Sequence, residues 1–263
     1  MDKPVLSIRG LSTYFYLKDR TVKALDGVDI DLYSGRITAL MGGSGSGKSV
    51  MSLSILGLIE KPGRVVKGSI LLENIDLLAL PERDMRRVRG AKIALIFQEP
   101  TNSLNPVIKV KDHLFEVNRR SGQPLERREA VSLFQDVLSR VGLRDTLKIL
   151  ESYPFELSGG MCQRIMVAMG LLAHSAVLIA DEPTSSLDLT TQAAILKELS
   201  RLRDEGIGIL LITHDLGVVA QMADDVYVIN DGHIVEQGTV YEVFEAPQQE
   251  YTKLLLEKTH GID

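Results

Sequence analysis

The chain contains no tryptophan, and aromatic residues make up only 5% of its 263 residues. It has one cysteine, Cys162, which excludes an internal disulfide bond and is typical of a protein from a reducing compartment. An excess of basic residues is also absent, because the formal net charge is −5. That balance argues against broad binding to nucleic acids, which usually requires a basic surface.

A hydrophobic run long enough to cross a membrane is missing as well. The most apolar window, residues 167–180, is interrupted by His174 and Ser175 and is followed directly by two acidic residues. A spanning helix needs about 20 apolar residues, so we interpret this window as a helix end followed by a buried strand. The N-terminus leads straight into a strand pattern, and no secretory signal is expected. Docking onto a membrane protein stays open.

Apolar strands and helical patterns alternate over much of the chain. Alternating side chains predict antiparallel strands over 5–33, and strand character continues at 65–75. Short buried strands are predicted at 36–41, 93–97, 177–180, 207–213 and 226–229, and helices at 50–57, 83–92, 161–172 and 192–204. Apolar residues have helical spacing over 114–141, with many charges on the opposite face. This alternation indicates an α/β fold with a largely parallel sheet that is covered on both faces. The change in pattern at Gln98 predicts an inserted helical subdomain at 98–159, between core segments at 1–97 and 160–263.

A glycine-rich loop stands between the first buried strand and the helix that follows it. Glycines let a backbone wrap closely around phosphates and aim its N–H groups inward at a helix N-terminus. Lys48 is expected to reach the β- and γ-phosphates of a nucleotide, and the Ser49 hydroxyl to bind Mg²⁺. The alternative is a flexible linker. The loop fits the G-x-x-x-x-G-K-S/T phosphate-binding pattern at every required position, with the residues Gly42, Gly43, Ser44, Gly45, Ser46, Gly47, Lys48 and Ser49.

A second candidate is the acidic pair that ends the strand at 177–180. In nucleotide hydrolases a carboxylate at this place holds Mg²⁺, usually through water, and open α/β sheets bind ligands at the carboxyl ends of their strands. Asp181 is therefore expected to act on the metal, and Glu182 to polarise the attacking water. The alternative is a surface pair that opens a turn before Pro183.

Ser158, Gly159 and Gly160 form a third candidate, because they open the helix predicted at 161–172. A hydroxyl and free N–H groups at a helix N-terminus can bind an anion, although an ordinary helix cap has the same residues. Two phosphate-binding helix ends in one chain leave two arrangements open. Either both face one nucleotide, or each serves a nucleotide shared with another subunit.

Together these motifs resemble the signature of ABC transporter ATPases over nearly the whole chain. The resemblance implies a P-loop NTPase core with a mixed, largely parallel sheet, an N-terminal antiparallel β subdomain and an inserted helical subdomain. The segments that resemble family motifs are Leu157-Ser158-Gly159-Gly160 (signature), Gln98 (Q-loop), Ser185-Ser186-Leu187-Asp188 (D-loop) and His214 (switch histidine).

The resemblance also implies a mechanism in which two ATPase subunits pair head to tail and hold ATP between them. The phosphate loop of one subunit then faces the segment 158–160 of its mate. Gln98 is expected to contact Mg²⁺ or the attacking water. His214 is expected to bind the γ-phosphate, and Asp188 to link the two sites across the interface.

The family places an aromatic residue against the adenine base, and its usual position aligns best with Phe15. The neighbouring Tyr14 and Tyr16 leave that assignment open, and all three could instead pack on the sheet as edge-strand aromatics.

Further segments resemble the peptide and nickel importer group within this family. They are 96–106, 161–169 and the C-terminal stretch 247–252, where Gln249 and Glu250 replace the more usual His and Pro. A cysteine-bearing extension is missing here, so no iron–sulfur cluster is expected, and the nickel and metal-chelate class gains some weight. Cys162 stands where Arg is more usual. Cys162 is either a reactive thiol or a tolerated substitution. The tolerated substitution is favoured, because no other cysteine and no nearby His pattern supports redox or metal chemistry.

The expected function is ATP hydrolysis coupled to the import of peptides, nickel or metal chelates, with ATP and Mg²⁺ bound. The expected partners are a related but distinct ATPase subunit, with a homodimer as the alternative, two membrane permeases and, through them, a solute-binding protein. The expected place is the cytoplasmic face of the inner membrane. A soluble ABC-type ATPase acting on nucleic acid or ribosomes is the other candidate. Two features of the sequence argue against this second candidate. The helical insert is too short for the long coiled coils of the members that act on DNA, and the chain has one set of motifs, whereas the translation-type members usually have two ATPase units in one chain.

Overall fold

The structure is a computed structural model that describes residues 3–97, 103–121, 124–185 and 187–260. The chain folds as an α/β protein. The strands are β1 (Leu6–Tyr16), β2 (Thr21–Leu32), β3 (Ile37–Met41), β4 (Gly63–Leu72), β5 (Ile75–Asp76), β6 (Ile93–Ile96), β7 (Val177–Asp181), β8 (Gly208–Ile212), β9 (Asp225–Asn230) and β10 (His233–Thr239). The helices are α1 (Lys48–Ile55), α2 (Glu82–Val88), α3 (Val110–Arg120), α4 (Arg127–Arg140), α5 (Thr146–Glu151), α6 (Gly159–Leu172), α7 (Leu189–Asp204), α8 (Leu216–Met222), α9 (Val240–Glu245) and α10 (Glu250–His260).

These elements fall into two compact units. The first unit takes Met1–Arg86 and Gly208–Asp263, and the second takes Arg87–Ile207. The predicted boundaries of the helical insert, 98–159, stay a prediction.

The first unit contains an antiparallel sheet in the order β2-β1-β4-β5, as the alternation over residues 5–33 predicts. Its other strands surround β3, which pairs in parallel with β8 on one side and β9 on the other, while β10 runs antiparallel to β9. Every residue of β3 and β8 is buried. Both are therefore interior strands, which explains their continuous apolar sequences.

The second unit contains the parallel pair β6–β7 and a set of helices. Phe134 of α4 is fully buried and meets Phe115 of α3 edge to face, with ring centroids 5.0 Å apart. Arg140 at the end of α4 forms an ion pair with Glu198 of α7, and its Nε donates to Oε2 of Glu198 at 2.9 Å. The core of this unit is thus apolar helix packing closed by a partly buried charge pair.

The helical spacing over 114–141 corresponds to two helices in the structure, α3 and α4. Pro124 lies between them, and proline lacks the N–H that a continuous helix needs. The strand β10 and the helices α5 and α8 to α10 were not anticipated by the sequence pattern. Among the described residues, no helix is long and apolar enough to span a membrane.

Candidate functional site

The glycine-rich loop leaves the buried end of β3 and turns into α1. Backbone crowds it on two sides: a Cβ at Gly42 would lie 2.2 Å from the carbonyl oxygen of Ile229, and one at Gly47 would lie 2.4 Å from that of Ala24. Gly47 also has a φ of 110°, which favours glycine. The sequence therefore needs glycine at both positions for the loop to close.

Lys48 turns its ammonium group back into this loop. Its Nζ donates to the carbonyl oxygens of Gly42 at 2.9 Å and Gly43 at 2.8 Å. The positive charge is thus held at the mouth of the loop, where it can meet an anion.

The N-terminus of α1 suits an anionic ligand. Its cap residue, Gly47, supplies no side-chain hydrogen bond, and the first turn has no acidic side chain. The first N–H groups of a helix carry a partial positive charge that attracts phosphate. Ser44, Gly45 and Ser49 are exposed at this end, and the buried Ser46 hydroxyl oxygen has no hydrogen-bond partner in the described part of the chain.

The C-terminal helix reaches the same loop. The Tyr251 hydroxyl oxygen accepts a hydrogen bond from the backbone N–H of Gly43 at 2.9 Å. Ser46 is tied to the β9–β10 turn, because its carbonyl oxygen accepts from the N–H of Gly232 at 3.1 Å. The loop is therefore held by two segments from the C-terminal part of the first unit.

His214 follows β8 as Gly42 follows β3. Leu40 of β3 pairs with Ile212 of β8 in the parallel register. The segments that follow these strands, with Gly42 and His214, therefore start at the same end of the sheet. The His214 side chain is exposed, and the turn that carries it is fixed by Asp215, which caps α8 by accepting from the N–H of Val218 at 3.1 Å. The structure thus places His214 at the sheet edge from which the phosphate loop starts.

The three aromatic residues of β1 have different surroundings. The Tyr14 hydroxyl donates to Oδ1 of Asp26 at 2.7 Å, which also raises the pKa of the tyrosine. Phe15 lies against Gly63, where a Cβ would stand 2.5 Å from its Cε1. Tyr16 is 40% exposed under the Arg64 guanidinium, 4.6 Å from the ring centroid. The stacking role of Phe15 stays a prediction.

In the second unit, β7 delivers the acidic pair. Asp181 is 5% exposed and Glu182 is 6% exposed, although Asp and Glu are almost never buried to this extent unless their charge is paired. Glu182 has a φ of 51°, a strained conformation that clusters at functional sites. The surface-pair interpretation does not fit this burial.

A fully buried amide holds that turn. Nε2 of Gln163 donates to the carbonyl oxygens of Glu182 at 3.4 Å and Pro183 at 3.1 Å, and the Ser185 hydroxyl donates to the Glu182 carbonyl at 3.2 Å. Gln163 belongs to α6, the helix that begins at the predicted signature. The helix is thereby joined to the Glu182 backbone.

The segment 158–160 is open at the start of α6. The Ser158 side chain caps the helix by accepting from the N–H of Met161 at 3.3 Å. Ser158 and Gly159 are exposed, and a Cβ at Gly159 would have nothing within 4 Å. The cap interpretation is therefore correct, and the start of α6 is exposed to solvent.

Asp188 caps α7 in a similar way. It accepts from the backbone N–H of Thr191 at 3.0 Å and from the Thr191 hydroxyl at 2.7 Å, and these hydrogen bonds lower the pKa of its carboxyl group. The exposed Leu189 follows it. Two other predicted residues, Gln98 and Ser186, lie outside the described residues.

Cys162 is the fourth residue of α6, and its side chain is buried. Its exposure is 1%, its Sγ lies 3.6 Å from the carbonyl oxygen of Pro154, and burial raises the pKa of the thiol. The reactive-thiol interpretation is not supported by this environment, because the thiolate is the reactive species.

The oxygen donors among the predicted metal residues suit Mg²⁺. This ion prefers oxygen ligands, usually one or two protein groups plus phosphate oxygens and water. Ser49 offers an exposed hydroxyl and Asp181 a buried carboxylate. The donor set therefore fits the ion.

Sequence reasoning missed Gln163 and Tyr251. A glutamine one turn into a predicted helix gives no signal of its own. Tyr251 had one, the partial match of 247–252 to a C-terminal motif, but nothing in the pattern says what the tyrosine contacts.

Comparison with known proteins gives a consistent result. The family model described as ABC transporter matches residues 25–185. The chain is 46% identical over 261 residues to a putative peptide import ATP-binding protein of Brucella ovis, covering 97% of this chain and 77% of that one. It is 45% identical over 266 residues to a dipeptide transport ATP-binding protein of Bacillus subtilis, covering 98% and 78%.

Solved structures share the fold. A dimeric ATP-binding cassette in a post-hydrolysis state, bound to ADP and phosphate, superimposes with a TM-score of 0.81 at 23% identity, covering 89% of this chain and 98% of that one. The ATP-binding subunit of an ABC transporter gives a TM-score of 0.78 at 25% identity, covering 98% and 100%.

Proposed function

The chain belongs to the ABC transporter family of ATP-binding proteins, and from that premise we propose that it is the ATPase subunit of an importer for peptides. The observation that carries the proposal is the glycine loop with Lys48 at the uncapped N-terminus of α1. Its relatives are named for peptide import and dipeptide transport, and these names support peptides as the transported class. The nickel or metal-chelate cargo expected from the sequence stays a prediction with less support.

ATP binds at the loop through its phosphates. The N–H groups at the start of α1 donate to the phosphate oxygens, and Lys48 exchanges its two carbonyl contacts for the β- and γ-phosphates. Ser49, Gln98 and Asp181 would hold Mg²⁺, which when bound neutralises the charge of the phosphates.

Hydrolysis needs a base for water and a group for the γ-phosphate. Glu182 acts as the base, because its buried carboxylate follows a sheet strand directly. His214 binds the γ-phosphate from the edge of β3 and β8, and Gln98 orients the water. Phe15 stacks on the adenine ring of ATP.

The second half of each site comes from another subunit. Ser158, Gly159 and Gly160 present an open helix start to the nucleotide of a partner ATPase, and Asp188 with the exposed Leu189 lies at the interface. A related but distinct ATPase chain is the proposed partner, because the importers that this chain resembles commonly use two different ATPases. A homodimer is the alternative.

The second unit also offers a surface to the membrane subunits. The segments before α3 and after α5 meet, because the N–H of Val110 donates to the carbonyl of Ser152 at 3.0 Å. Beside this junction the side chains of Val107 and Phe155 are 74% and 70% exposed. Apolar side chains exposed to this extent favour a protein contact. We propose that this surface contacts the permease part of the complex, which has two permease subunits. A solute-binding protein would act through the permeases from the other side of the membrane, and the chain itself would lie at the cytoplasmic face.

Two substitutions test the nucleotide site. Lys48→Ala removes a charged donor from the phosphates and is expected to weaken ATP binding by about 10- to 150-fold. Glu182→Gln is expected to keep ATP binding but lower kcat by about 10²- to 10⁴-fold and to trap an ATP-bound dimer. The control is Lys67→Ala, which changes an exposed lysine of β4. Rapid turnover by the Glu182→Gln protein would rule out Glu182 as the base.

Affinity purification tests the transport role. The tagged chain, expressed in its own cells, is expected to bring down two integral membrane proteins and a second ATPase, and its ATPase rate is expected to rise with a peptide-loaded binding protein. Recovery with ribosomes or nucleic acid instead would favour the soluble ABC-type ATPase.

A further inference from the structure

Tyr251 makes a direct hydrogen bond to the phosphate loop from 208 residues further along the chain. Its hydroxyl oxygen accepts from the N–H of Gly43 at 2.9 Å. A Cβ at Gly43 would lie only 3.1 Å from that oxygen, so the glycine is also what allows the close approach. The contact is therefore a specific fit between one backbone amide and one side chain.

The peptide group that joins Gly42 to Gly43 is held at both of its polar atoms. The Gly42 carbonyl oxygen accepts from Nζ of Lys48 at 2.9 Å, while the Gly43 N–H donates to the Tyr251 hydroxyl oxygen at 2.9 Å. When Lys48 moves to the phosphates, the carbonyl side loses a donor. The tyrosine side is then the remaining side-chain contact of that peptide recorded among the described residues.

Helix α10 is built to hold Tyr251 in place. The Glu236 carboxylate of β10 accepts from the N–H groups of Gln248 at 2.6 Å and Gln249 at 3.2 Å, just before the helix begins. Burial raises the pKa of Glu236, but the interactions with Thr252 first, and then with these two N–H groups, outweigh burial and leave the pKa below its ordinary value. Thr252, the next residue after the tyrosine, is fully buried. The start of the helix thus has little freedom.

The tyrosine ring packs against a cluster that also supports His214. The cluster includes Met41 of β3, which leads into the loop, and Leu216 of α8, which follows His214. Leu256 of α10 lies in the same cluster. One helix therefore contacts the elements that carry two of the proposed γ-phosphate ligands.

We propose that Tyr251 is a positioning residue for ATP: it holds the peptide between Gly42 and Gly43 in the phosphate-binding shape while Lys48 changes partners. The inference rests on the proposed ATP site. The alternative is that the tyrosine matters only through the packing of its ring.

Tyr251→Phe separates these two roles, because phenylalanine keeps the ring and removes only the hydroxyl. A net hydrogen bond of about 0.5–1.5 kcal/mol corresponds to roughly 2- to 12-fold in affinity. We expect the Kd and KM for MgATP to rise by about that factor while kcat changes less than the KM, because the lost contact acts on phosphate binding rather than on the chemical step. The matched control is Tyr241→Phe, whose tyrosine is 77% exposed on α9.

The second measurement is amide hydrogen exchange in protein labelled with ¹⁵N-glycine. In the nucleotide-free Tyr251→Phe protein, the Gly43 N–H is expected to exchange faster, while the thermal midpoint stays close to that of the Tyr241→Phe protein. Unchanged Gly43 exchange with an unchanged Kd for MgATP would overturn this inference alone. Weaker binding with an equally large loss of thermal stability would assign the effect to packing and overturn it as well. If the unaltered protein did not bind MgATP, the proposed function would fail first.

Discussion

The side-chain amide of Gln163 lies 3.4 Å from the carbonyl oxygen of Glu182 and donates a hydrogen bond to it. The glutamine is fully buried, and the glutamate has the strained φ of 51°. A strained backbone persists only where its surroundings hold it. The signature helix α6 therefore fixes the backbone of the proposed catalytic base.

Replacing that amide is expected to slow hydrolysis more than it weakens ATP binding. Gln163→Leu has a similar volume but removes the amide donor from the carbonyl oxygens of Glu182 and Pro183, of which the first keeps the Ser185 hydroxyl. A buried carbonyl left without its donor costs about 1–3 kcal/mol of stability. Release of the Glu182 turn is expected to lower kcat by about tenfold or more, since small misplacements of catalytic groups have large effects. ATPase kinetics of the assembled complex check this, with Gln221→Leu on the exposed face of α8 as control. A fall in affinity with kcat unchanged would contradict it.

Alanine at Gly47 is expected to damage the phosphate loop more than alanine at Gly45. Both glycines have positive φ, 110° and 76°, which costs an alanine about 1–2 kcal/mol. Only at Gly47 does the new Cβ also meet backbone, 2.4 Å from the carbonyl oxygen of Ala24, whereas Gly45 has open space. Thermal unfolding and fluorescent ATP binding compare the two proteins. Equal loss in both would show that the close approach is not limiting.

Cys162 is expected to resist thiol reagents in the folded protein. Its thiol is buried and has a raised pKa, so the reactive thiolate is scarce and inaccessible. As the chain has one cysteine, labelling with a maleimide reports on this site alone. Labelling should follow the unfolding transition as denaturant is added. Fast labelling in native buffer, slowed by ATP, would instead show a reactive thiol at the nucleotide interface.

Glu151 is expected to titrate at unusually low pH. Hydrogen bonds from Lys111, and then from Lys109, lower the pKa of its carboxyl group from 4.5 to about 2. Because the folded pKa lies below the unfolded one, the stabilising effect is complete above pH 4.5 and is lost as the pH falls toward 2. Carboxyl ¹³C NMR titration measures this pKa. It should move back up in Lys111→Met and stay in place in the control Lys148→Met.

Much of the fold could be predicted because local pattern and fold agree. The buried strands β3, β7 and β8 are continuous apolar runs, and the loop at 42–49 has a spacing that few other structures require. Apolar spacing alone does not say where one helix ends and the next begins, and Pro124, which cannot continue a helix, lies between α3 and α4.

The parts of the site that were missed depend on contacts between distant residues. Tyr251 meets Gly43 across 208 positions, and Gln163 meets Glu182 across 19. Neither contact leaves a periodic trace, because each joins a side chain to a backbone atom whose residue type is irrelevant. The burial of Glu182 and the raised pKa of Cys162 likewise come from tertiary packing.

The first unit is made from both ends of the chain, with its strands β1 to β5 coming before Arg87 and its strands β8 to β10 after Ile207. A ribosome must therefore synthesise the whole second unit before β3 can obtain its neighbours β8 and β9. Helix α10 emerges later still. During translation the glycine turn is made 208 residues before the tyrosine that contacts it, so the hydrogen bond between Gly43 and Tyr251 can form only after α10 has been synthesised.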